Sequence, residues 1–163
     1  MLITILYMLF TLAYAVLPFL YKSKRPAMLQ FYLRMTWSHS FRKCYSLGML
    51  ATLMMFHFYH LNVFGNVYEL ALSSLVCLSL YSHKNAERVF DFLQRKYRLF
   101  WAAMAAIALL FVPHTLPLGI TLATVLFGAV FYPSQVARNT SLEKLEDYLE
   151  LPQSIVDTYY RWP

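Results

Sequence analysis

Acidic residues are scarce in this chain. There are eight Asp and Glu among 163 residues, and only Glu69 falls inside an apolar run. Membrane aspartyl proteases and phosphotransferases work through paired acids, so both chemistries are excluded. Charge of either sign is thin as well, at 13% of residues, where a soluble domain carries about 25%. Cysteine is limited to Cys44 and Cys77, with no CxxC spacing, which argues against a disulfide framework. Catalytic loops are missing too: there is no Walker loop, dinucleotide fingerprint, GxSxG elbow or HExxH. These absences point away from an enzyme and imply no cofactor.

What is present is apolar. The hydrophobic share is 60% and the mean hydropathy +0.48. A water-soluble domain of this size cannot hide so much, because small domains bury only part of the surface their chains expose. Lipid can cover the rest. Apolar runs fall at about 2–20, 45–64, 66–82, 98–112 and 116–132. A full crossing takes roughly 20 helical residues, so the third and fourth runs need flanking Asn66 and Tyr97-Arg98 to reach across. Gly65-Asn66 and the stretch from Pro113 to Pro117 supply turns. The expectation is an all-α, polytopic transmembrane helical bundle occupying residues 1–132, with five crossings. Four stay open as an alternative, in which 99–132 form a re-entrant hairpin. The first run has no Lys or Arg before it, and Tyr14-Ala15-Val16-Leu17-Pro18 is a poor processing site, so it reads as a retained helix.

The net charge of +6 would suggest nucleic acid in a soluble protein, but here the basic residues lie between apolar runs. No nucleic-acid partner is expected. Lys22, Lys24, Arg25, Arg34, Arg42 and Lys43 fall in 21–43, and Lys84, Arg88, Arg95, Lys96 and Arg98 in 83–98. The two turns hold none. Five crossings put all fourteen positive residues on the cytoplasmic side, with the N-terminus outside and the C-terminus inside. The expected setting is the lipid bilayer of a bacterial inner membrane.

Two segments lie outside the runs. Across 26–43, Leu29, Leu33, Trp37 and Phe41 recur at four-residue spacing, with Arg34 and Arg42 on another face. That pattern predicts an amphipathic helix lying in the headgroup plane, anchored by Trp37, Arg34, Arg42 and Lys43. The tail, 133–163, carries a capping box at Thr140-Ser141-Leu142-Glu143. Leu142, Leu145 and Leu149 then form one stripe, and Tyr159, Tyr160 and Trp162 end the chain. So short a helix is marginal alone and needs a surface to pack on. That surface is either the bundle's own loops or a cytoplasmic protein partner, and the expectation is a partner docking on these six residues.

One constellation could carry chemistry. His57 and His60 share a helix face, Glu69 follows the next turn, and His114 lies in the other outer turn. All four fall near the non-cytoplasmic leaflet. They could bind a divalent metal, carry protons, or simply bond neighbouring helices. His39 and His83 fall in the cytoplasmic loops and are expected to face water. Small residues mark a close helix contact: Ala102, Ala103, Ala105, Ala106 and Ala108, then Gly119, Ala123 and Gly128. This hairpin is a candidate bundle centre or the contact of a homo-oligomer. The function expected is a non-enzymatic interaction or accessory subunit of a membrane complex, presenting basic loops and an acidic-aromatic tail. The alternative is a small oligomeric channel or ion-coupled transporter using His57, His60 and Glu69.

Overall fold

The computed structural model describes residues 16–139 and 152–160. Every regular element among them is helical. In chain order these are α1 (Pro26–Trp37), α2 (His39–Phe64), a 3-10 turn (Tyr68–Leu70), α3 (Ala71–Tyr81), α4 (His83–Leu93), α5 (Lys96–Phe111), α6 (Leu116–Val130), α7 (Gln135–Arg138) and α8 (Pro152–Tyr159).

One described helix, α2, is long and apolar enough to cross a membrane. Its 26 residues rise about 39 Å. The apolar helices Tyr68–Tyr81, Tyr97–Phe111 and Leu116–Val130 are shorter, and the first expected span lies mostly outside the described residues. Among the described residues the fold is therefore all-helical with one candidate span.

The sequence dictates where α2 begins and ends. Residues 26–43 are not one helix: the chain is extended at Ser38, and residues 39–43 open α2 instead. Ser38 Oγ accepts the Phe41 N–H, a serine cap on an orphan donor. Arg42 reaches back and donates to the Met35 and Thr36 carbonyls, which closes the end of α1. At the far end Gly65 takes a left-handed conformation, φ +65°, and its N–H bonds Leu61 O.

The basic segment 83–98 contains a helix that the charge reading passed over. Its buried face is Ala86, Phe90 and Leu93, at helical spacing, while Lys84 and Arg88 point outward. The second hairpin, α5–α6, turns at 113–115 as its prolines require. Helix α6 is central, packing on α2, α3, α4 and α5, whereas α5 packs mainly on α6. At Gly119 an added Cβ would lie 3.2 Å from Leu110 N and 3.3 Å from Ala106 O, so two helix backbones meet closely there.

Part of the core lies where α1, α4, the end of α6 and α8 converge. Tyr32, Met35, Phe90, Tyr132, Ile155 and Tyr159 are fully buried there.

Candidate functional site

Polar side chains gather at two ends of the bundle, called outer and inner here after the orientation expected from the charge pattern. The outer group is built on α2, where the three-residue spacing puts His57 and His60 on one buried face. His57 Nδ1 is 2.7 Å from Leu53 O and must donate there, while its Nε2 lies 2.8 Å from Ser73 Oγ, a hydroxyl that also has Leu70 O at 2.9 Å. His60 Nε2 lies 3.2 Å from Glu69 Oε2. The other carboxylate oxygen, Oε1, meets His114 Nδ1 at 2.7 Å and accepts from Asn66 Nδ2 at 2.9 Å. Asn66 also accepts the Tyr68 N–H, which shapes the turn presenting Glu69. His114 has φ +66°, uncommon for a residue with a Cβ.

The structure thus brings together His60, Glu69 and His114 from three segments. His57 stands one helical turn away, tied to α3 rather than to the carboxylate. Exposure falls along the series, from 78% for the His114 side chain to 16% for Glu69 and 4% for His60. A carboxylate shared between an exposed and a buried imidazole can pass a proton inward.

The inner group centres on Glu87 of α4, which the sequence reading did not single out. Its Oε1 accepts the Tyr132 hydroxyl at 2.6 Å. Arg42 Nε, His83 Nε2 and Arg138 NH1 stand 3.6, 3.5 and 3.5 Å from the same atom. The other terminal nitrogen of Arg138, NH2, donates to the Asp91 carboxylate, with its two oxygens at 2.5 and 2.6 Å. Burial opposes ionisation of Glu87, but the Tyr132 hydrogen bond and the charges of His83, Arg138 and Arg42 outweigh it and hold its pKa below the ordinary value. His83 does not face water as expected. Ser46 and Glu87 hold it in a half-buried niche. Burial, joined by the nearby His39, Arg42 and Lys43, lowers its pKa despite the opposing pull of Glu87. The one sequence signal for this group was the four-residue spacing of His83 and Glu87.

The remaining expected site residues divide. Trp37, Arg34 and Lys43 are exposed, while Arg42 turns inward to the α1 carbonyls and Glu87. Tyr159 and Tyr160 are buried. Tyr159 donates to Phe131 O at 2.7 Å, and the Tyr160 and Tyr32 hydroxyls are 2.9 Å apart. Leu142, Leu145, Leu149 and Trp162 lie outside the described residues. Comparison of the chain with family models, characterised proteins and solved structures gives no match.

Proposed function

We propose that this chain is a small polytopic membrane protein of about five crossings, N-terminus outside, acting as a non-enzymatic accessory subunit of a membrane complex. The observation that carries the reading is the outward apolar surface of α3 and α5. Leu78 is 68% exposed, Trp101 69% and Phe111 83%, while His57, His60, Ser46 and Ser73 are buried inside. A helix bundle with that polarity suits lipid or a partner helix better than water. Between the two polar groups the interior is filled by Met49, Leu53, Cys77 and Val125, all buried. That apolar layer favours an interaction role over a pore within one chain. The exposed basic residues of the inner loops, Arg34, Lys43, Lys84 and Arg88, are the surface offered to a cytoplasmic partner.

The second reading, an oligomeric ion- or proton-coupled transporter, draws on the His114–Glu69–His60 series. Compartment reporters fused at Gly65 and at Pro163 should report opposite sides; two cytoplasmic signals would defeat the five-crossing arrangement. Purified protein in liposomes should show no proton flux. Flux that disappears in a well-assembled Glu69→Gln variant would overturn the accessory role in favour of transport.

A further inference from the structure

Three side chains at the inner end converge in a way the accessory role does not require. His39 opens α2 on an exposed surface, and His83 and Glu87 stand one turn apart on α4. One ligating atom from each lies within 4.8 Å of the others. The two imidazole rings are 4.7 Å apart, centroid to centroid, at 73°.

The contacts of His83 leave one ring nitrogen unanswered. Ser46 Oγ has Lys43 O at 3.0 Å to take its one proton. The 3.2 Å contact between Ser46 Oγ and His83 Nδ1 then needs the imidazole to donate. A neutral ring is left with a bare Nε2, which is buried without a hydrogen-bond partner among the described residues and stands 3.5 Å from Glu87 Oε1. Two acceptors facing each other with no proton between them are mutually repelling. A cation between them removes that repulsion. An imidazole with one nitrogen tied to a hydroxyl and the other bare beside a carboxylate is also how a ligating histidine is held.

We propose that His39, His83 and Glu87 form a site for a divalent first-row transition ion, zinc in the first instance, with water completing the coordination. The ion takes Glu87 Oε1, the oxygen that faces His83 Nε2, accepts the Tyr132 hydroxyl and has Arg42 and Arg138 beside it. Exposed His39 gives the ion its path from solvent. Arg42 and Arg138 weaken the site by repulsion. Their charges are partly answered by the Met35 and Thr36 carbonyls and by Asp91, so the affinity is moderate rather than that of a thiolate site. Two nitrogen ligands also select against magnesium and calcium, which want oxygen. The site does not depend on the membrane orientation proposed above.

Untagged full-length protein, purified in detergent and stripped with a chelator, is titrated with cobalt(II). One ion per chain should bind, with visible d–d absorption, and zinc but not magnesium should displace it. His39→Ala should weaken binding by about tenfold or more while the metal-free protein melts as the parent does, and His114→Ala should bind cobalt normally. Absence of binding in the parent at millimolar cobalt overturns the site. So does a His39→Ala variant that binds like the parent, with loss in His114→Ala placing the ion at the outer group instead.

Discussion

At the scale of single residues, the two polar groups differ in how they were legible. His57, His60, Glu69 and His114 stand out because polar groups in or beside apolar runs are costly and therefore conspicuous. Glu87, Arg42 and His83 sit in stretches already rich in charge and Arg138 in a polar segment after the last apolar run, where a solvated surface is the ordinary interpretation. Only folding shows that positions 42, 87 and 138 meet, because no local pattern encodes their proximity. Their energetic weight follows from burial. Replacing Glu87 by Gln removes the one carboxylate that both guanidiniums share and leaves two largely buried cations under-compensated. Breaking such a pair costs about 3–5 kcal/mol when fully buried, and partial exposure with Asp91 still in place lowers the figure to about 2–3 kcal/mol. Denaturant unfolding in detergent should show this loss. A variant as stable as the parent would mean the network adds nothing to the fold.

At the scale of elements, the apolar runs and both turns were readable, since Gly65 and the paired prolines leave the chain few choices. Two boundaries were not. A four-residue hydrophobic period continues through Ser38, so periodicity alone extends the helix. What breaks it is a serine cap together with Arg42, which reaches back six and seven residues to the last carbonyls of α1, and the apolar period encodes neither bond. Helix α4 was hidden by its charges, although Ala86, Phe90 and Leu93 keep a buried face. The small-residue pattern of the second hairpin has a direct consequence. At Gly119 the space is bounded by the backbone of α5, at Leu110 N and Ala106 O, which cannot swing aside as a side chain does. Gly119→Val should therefore push α5 from α6 and destabilise by about 1–3 kcal/mol, seen as a lower melting temperature and faster proteolysis near 111–116. An unchanged melting temperature would show that α5 is not held against α6.

At the scale of the whole molecule, the two ends of the described chain are tied through tyrosines. The Tyr160 hydroxyl donates to Tyr32, whose hydroxyl in turn reaches Leu20 O at 3.2 Å, while Tyr159 donates to Phe131 O. Rings of Tyr32 and Tyr159 pack at 4.6 Å. The aromatic residues 159 and 160 looked like a docking surface in sequence because nothing local says whether an amphipathic end meets its own chain or another. Here they belong to the core. Burial is the first cause raising the pKa of all three tyrosines, with neighbouring tyrosines adding to it for Tyr159 and Tyr160. The sign follows directly. A tyrosine in the unfolded chain ionises near about 10, and a folded value above that means folding disfavours the charged form. The stabilisation is fully present below the unfolded value and is lost as pH rises through the folded one. In an alkaline titration the phenolate absorbance of these tyrosines should lag the unfolded value and then appear together with loss of near-ultraviolet circular dichroism. Replacing both Tyr159 and Tyr160 by Phe keeps the rings but removes the hydroxyls, and should move the unfolding midpoint to higher pH, since two groups that favour the unfolded chain at alkaline pH are gone. Truncation after Thr140 should instead unfold the inner end at neutral pH, because Ile155 and Val156 leave the core with the tyrosines. A truncated chain that melts like the parent, with an unchanged alkaline midpoint in the double variant, would show that α8 only rests on the bundle and that the tail is available to a partner.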